Sequence, residues 1–99
     1  METFDELILS STPVLVDFFA EWCAPCKMMK PILENVKEEL GDSVRIVKID
    51  VDKKQGLAAR YHIQSVPTLM LFKGGETLWR ASGVRQKEEL KEIIAQNSK

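Results

Sequence analysis

Apolar positions along this chain alternate between short blocks and helical stripes, the pattern of a fold that layers helices on a sheet. Thr3 and Glu6 have the spacing of a capping box. With the stripe Phe4, Leu7 and Ile8 they predict a short opening helix. Ser10-Ser11-Thr12-Pro13 breaks it. Residues 14–19 form a nearly continuous apolar run, as in a strand covered on both faces. From Cys26, the positions Met29, Leu33, Val36 and Leu40 repeat at helical spacing until Gly41 stops the helix. Pro31 lies inside that helix and predicts a kink, and Met28 and Met29 read as core filler. Val44 to Ile49 is a second strand. Strand, long helix and strand make a βαβ unit, whose two strands must be parallel.

Asp52 is positioned to cap a weaker helix over 53–61, built on Leu57, Ala58 and Tyr61. Thr68 to Lys73 is a third strand. Gly74-Gly75 is a two-residue hairpin turn into a fourth, Glu76 to Ala81. Gly83 interrupts the chain, Leu90, Ile93 and Ile94 mark a last amphipathic helix, and the tail 96–99 is expected to fray.

Composition narrows the function. Ninety-nine residues at 44% hydrophobic content suit one domain, 1–99, folding without staples or metals. Fourteen basic residues against fifteen acidic ones give a net charge of −1, which provides no footprint for nucleic acid or an anionic membrane. No apolar run is long enough to span a bilayer, and Met1-Glu2-Thr3-Phe4-Asp5-Glu6 is acidic where a signal peptide is basic. The expected location is the cytoplasm, where a disulfide is more often transient and catalytic than structural.

The only two cysteines stand in Trp22-Cys23-Ala24-Pro25-Cys26-Lys27, directly after the first strand. A strand feeding Cys-x-x-Cys at the start of a helix makes one thiol reactive. The unpaired N–H groups of the first turn put partial positive charge beside Cys23, which lowers its pKa and favours the nucleophilic thiolate. Cys26 lies one turn along the same face, within reach of a mixed disulfide at Cys23, and Pro25 suits a turn where its missing N–H costs nothing. As a staple the pair would close too small a loop to constrain the unfolded chain. Two cysteines and one histidine, His62, fall short of a zinc site, and Lys27 replaces the histidine of a haem attachment motif. Dithiol–disulfide exchange is the chemistry that fits.

Asp17 within the strand, Trp22-Cys23-x-Pro25-Cys26-Lys27, Pro31, and Val66-Pro67-Thr68 ahead of an apolar strand and Gly-Gly turn together resemble the thioredoxin family, over essentially the whole chain. The resemblance implies an α/β thioredoxin fold, a central mixed sheet flanked by helices on both faces. It also implies a general cytosolic protein-disulfide reductase. Its partners would be disulfide-containing proteins and a thioredoxin reductase, flavin-containing or ferredoxin-linked. It implies a monomer with no cofactor or metal of its own. In this reading Cys23, expected to be the more exposed, attacks. Cys26, expected to be buried, resolves the mixed disulfide and leaves Cys23–Cys26 oxidised. Asp17, costly to ionise amid Val16, Phe18 and Phe19, is the candidate base for Cys26. Lys48 matches the lysine that pairs with that aspartate, and by itself reads equally as a solvated edge-strand charge.

The resemblance further implies a cis Val66–Pro67 bond that frees the Val66 backbone to bond an extended substrate. Around Cys23 it implies an apolar docking patch of Trp22, Ala24, Pro25, Val66, Pro67, Gly83 and Val84, with Thr68 beside it. Trp22 also admits a core role, Trp79 reads as packing, and His62 as a surface residue.

Two departures stand out. Ala24 occupies a position usually held by glycine, adding a methyl beside the reactive sulfur and favouring the helix. The first helix begins by Thr3, so the usual preceding strand is missing and four strands are expected. That leaves 44–49 at an edge guarded by Arg45 and Lys48 on opposite faces. A thiol oxidase or isomerase would want a polar residue between the cysteines and an oxidising compartment. A redox-independent scaffold would make both cysteines dispensable.

Overall fold

The computed structural model describes residues 2–98. Helix α1 (Phe4–Ile8) is followed by β1 (Val14–Phe19), α2 (Ala24–Leu40), β2 (Arg45–Asp50), α3 (Gln55–Arg60), β3 (Thr68–Lys73), β4 (Glu76–Ser82) and α4 (Lys87–Gln96). The sheet order is β2-β1-β3-β4. β1 and β2 are parallel, with Asp17 opposite Lys48, and the other two pairings are antiparallel. Among the described residues this is a four-stranded sheet with β2 at its edge.

The continuous apolar run of β1 has the expected cause, since alternate side chains feed two separate cores. Leu15 joins Leu69 and Leu71 of β3 against Met29, Leu33 and Val36 of α2 and Leu90 and Ile94 of α4. On the opposite face Val14, Val16 and Phe18 meet Met70, Phe72 and Ile8, with Phe4, Leu7 and Tyr61 packed beside them. Phe4, Tyr61 and Phe72 contact one another with ring centroids 5.5–5.8 Å apart, so one aromatic cluster ties α1, the end of α3 and β3 together. Trp79 packs on the α2–α4 side, as expected. Gly74 and Gly75 both take positive φ, 59° and 84°, which is what a two-residue turn matching the strand twist demands. Leu78 is an extra residue in β4: Leu71 pairs with Trp79 and Phe72 with Thr77.

Four local expectations need correction. β2 begins one residue later than expected, because a 3-10 turn at Gly41–Ser43 drops Val44 fully into the core ahead of the strand. Asp52 does not cap α3. The cap position is Lys54, without a side-chain bond, and Asp50 makes the turn by accepting from the backbone N–H of Asp52 at 2.9 Å and of Lys53 at 3.3 Å. Met28 is 60% exposed while Met29 is buried; a step of about 100° carries the neighbour off the core-facing stripe. The tail holds longer than expected. Gln96 ends α4, and Asn97 and Ser98 bond back to the carbonyls of Ile93 and Ile94. Lys99 lies outside the described residues.

Candidate active site

β1 leads through a turn in which the Cys23 N–H donates to the Ala20 carbonyl at 3.2 Å, and α2 starts at Ala24. Cys23 is therefore the N-cap residue, extended at φ −88° and ψ 110°, and Pro25 lies in the first turn, where no helical N–H is needed. The Cys23 Sγ accepts the backbone N–H of Cys26 at 3.2 Å, so the sulfur sits at the positive end of a 17-residue helix. Cys23 and Cys26 form a disulfide across Cα atoms 5.3 Å apart.

The expected contrast in exposure is absent. Cys23 is 3% exposed and Cys26 5%. The Val66 carbonyl covers the Cys23 sulfur at 3.5 Å, a contact without a proton to share in the oxidised pair. Ala20, Phe19, Val51 and Val66 complete the wall.

The Val66–Pro67 bond is cis. Two hydrogen bonds tie this loop to its neighbours. Thr68 Oγ1 donates to the Ser65 carbonyl at 2.7 Å, and the Gly83 N–H donates to the Pro67 carbonyl at 2.8 Å, with Gly83 at φ 90°. Val66, Pro67, Thr68 and Gly83 are thus held as one unit, with Val66 against the cysteine pair. Val84 is half-buried and leans on the α2–α4 core. Trp22 is not a core residue. It is 72% exposed, and its Nε1 donates to Asp52 Oδ2 at 2.9 Å, the role Asp52 takes instead of capping α3. Ala24 and Pro25 are exposed beside it. Met28, one turn after Ala24, extends this exposed apolar surface; its i+4 spacing from Ala24 was the available signal.

Asp17 is fully buried, on the same face of β1 as Leu15 and hence toward α2, and neither carboxylate oxygen has a hydrogen-bond partner among the described residues. Burial pushes its pKa up to about 6, while the positive charge of Lys48 pulls the other way. The Lys48 ammonium lies 5.4 Å from the centre of the Phe19 ring. Lys48 also lines a cavity of about 260 Å³ with Phe19, Ala20, Cys26, Lys27 and Lys30. His62 is exposed at φ 53°, as a surface residue. No group of three or more histidine, cysteine or acidic side chains is arranged for a metal among the described residues, and none of their helices is long and apolar enough to cross a membrane.

A capped, buried cysteine pair facing a cis-proline loop is one arrangement carried by the whole fold, and the family model for thioredoxin matches residues 1–96. The chain belongs to the thioredoxin family. A thioredoxin-like protein of Synechocystis sp. is 51% identical over 88 residues, 88% of this chain and 84% of its own length. The thioredoxin of Bacillus subtilis is 48% identical over 81 residues, 82% and 78% of the two chains. Among solved structures, a point variant of the thioredoxin from Halobacterium salinarum superposes with a TM-score of 0.84 at 35% identity, covering 100% of this chain and 88% of that one. The fold is the thioredoxin fold, and the activity is that of a thioredoxin: protein-disulfide reduction by a thiol–disulfide oxidoreductase. In general terms, the family's partners are disulfide-containing substrate proteins and reductases.

Proposed function

We propose that Cys23 is the attacking thiol, Cys26 the resolving thiol and Asp17 the group that takes the Cys26 proton. In the reduced protein the Cys23 thiolate attacks one sulfur of a substrate disulfide. A Cys23–substrate bond forms, the substrate S–S bond breaks, and the first substrate sulfur leaves as a thiolate. Cys26 then gives its proton to the Asp17 carboxylate. Its thiolate attacks the Cys23 sulfur and the second substrate sulfur leaves. The substrate has gained two electrons and the pair has become the Cys23–Cys26 disulfide. A thioredoxin reductase returns two electrons to the pair, and the domain works as a cytoplasmic monomer.

The cap position of Cys23 carries this assignment. Its sulfur accepts a helix N–H, the environment that stabilises a thiolate, whereas Cys26 has the helix built around it. The unpartnered Asp17 carboxyl, raised toward neutrality, supports the proton transfer, with Lys48 limiting the rise. The exposed faces of Trp22, Ala24 and Pro25, with Val66, Gly83 and Val84 across from them, are the docking surface in this reading; Pro67 and Thr68, expected in it, are buried and shape the loop from beneath. The Val66 carbonyl, which lies against the Cys23 sulfur in the oxidised pair, accepts a substrate N–H in this reading, as in strand addition.

Trapping tests the roles. Reduced Cys26→Ser, mixed with a disulfide protein, is expected to accumulate a covalent complex through Cys23, visible on a non-reducing gel. Cys23→Ser is expected to accumulate none. Equal trapping by both variants would overturn the assignment.

A further inference from the structure

The cavity beside Cys26 does not end there. A second one, of about 270 Å³, is lined by Leu33, Glu34, Lys37 and Ile46 and shares Lys30 and Lys48 with the first, so the two continue as one groove between α2 and β2. Phe19, Leu33 and Ile46 provide its apolar floor, and Lys27, Lys30, Lys37 and Lys48 its rim.

The charge on this rim is unusual for the molecule. Most cations elsewhere are matched: Arg45 meets Glu2 at 2.7 Å, Arg60 meets Asp5 at 2.6 Å, and Lys87 and Lys91 share Glu39 at 2.6 and 2.7 Å, whereas Lys54 and Arg80 stand singly and apart from one another in no such cluster. None of the four rim lysines has a carboxylate at ion-pair distance among the described residues. Lys37 instead donates to the carbonyls of Gly41 and Val44, each at 2.8 Å, which fixes its charge at the far end of the groove. Two acids also line it, Glu21, which pairs with Lys53 at 3.7 Å, and Glu34. The chain as a whole is at −1, so this positive excess is local.

We propose that the groove receives an acidic, extended segment of the substrate protein, running from the substrate's reacting cysteine along α2 toward Lys37. This names the substrate class and rests on the disulfide-exchange reading above. The groove opens beside Cys26, the disulfide partner of the attacking Cys23, which says where the segment starts; the unmatched lysines say which charge it carries, and an apolar floor running along α2 favours an extended chain. From Cys26 to Lys37 the helix rises roughly 16 Å, room for about five extended residues. An exposed charge pair is worth up to about a fivefold change in rate, and salt screens it.

The test uses three disulfide peptides that differ only beside the cysteine: a neutral flank, five acidic residues on its N-terminal side, or five on its C-terminal side. Their rates of reduction by the reduced protein are measured at low and high salt. At low salt one acidic peptide, and only one, is expected to react about fivefold or more faster than the neutral one. High salt should remove that advantage. Lys30→Glu should remove it too, while reducing the neutral peptide at the wild-type rate. Lys54→Glu, the same charge change at an exposed site away from the groove, should keep it. If Lys30→Glu folds poorly, Lys30→Gln should lose about half of the advantage. Equal acceleration of both acidic peptides, equal loss in Lys54→Glu, or no acceleration at all would overturn the groove while leaving the exchange reading intact. A protein that reduces none of the three would overturn both.

Discussion

Asp17 is an acid sealed from water with no donor for either oxygen among the described residues, and that state favours its proton. Its unfolded value is near 3.8 and its folded value about 6, so it stabilises the fold fully below the lower value. That contribution disappears as pH rises through the higher one. Asp17→Asn, which has nothing to ionise, should match the wild type near pH 3.5 and gain on it between pH 4 and 7. The gain should reach about 3 kcal/mol in urea unfolding of the oxidised protein. The same variant should form mixed disulfides normally and release them slowly at neutral pH, since only the second step needs the carboxylate. Undiminished release would leave Asp17 a structural residue.

Among the elements, α1 is the least secured by length, with five residues, and its capping box therefore matters. Thr3 Oγ1 accepts the Glu6 N–H and Glu6 Oε1 accepts the Thr3 N–H, each at 3.2 Å. Thr3→Ala should lower stability by about 1 kcal/mol in chemical denaturation. Disulfide-reduction rates should not change, because α1 seats Ile8 and Phe4 on the sheet face opposite α2. A slowed reductase with unaltered stability would show that the two faces of the sheet are coupled. The long helix is organised differently. Its start is set by Cys23 and Pro25, chemistry and capping in the same residues, and its end by Gly41 at φ 53°.

Across the molecule as a whole, the edge at β2 is the liability. Among the described residues it pairs with β1 alone, and it carries charged side chains of the kind that discourage strand pairing: Arg45 on one face, Lys48 on the other. Replacing Arg45 and Lys48 together by threonine leaves a flat, β-favouring edge. The double variant should self-associate as concentration rises, read by sedimentation velocity under conditions where the wild type stays monomeric. A monomeric double variant would mean that neither charge protects the edge.

The helices, strands, hairpin and cysteine motif of this protein were legible in its sequence because each is a short-range property. Periodicity, a capping box, a Gly-Gly turn and the N–H groups at a helix start are all settled within a few residues of one another. Asp17 was legible for a related reason: an acid inside a run as apolar as 14–19 has nowhere wet to go. The departures are places where a distant segment decides. Cys23 is as buried as Cys26 because the Val66 carbonyl, 43 residues away, covers it. Asp52 leaves the helix start to bond Trp22, 30 residues back. The lysines of α2 lie off its apolar stripe, and only the approach of β2, carrying Lys48 and Ile46, makes them the rim of a groove. Local order follows from neighbours along the chain, whereas exposure and charge balance depend on which surfaces the fold brings together.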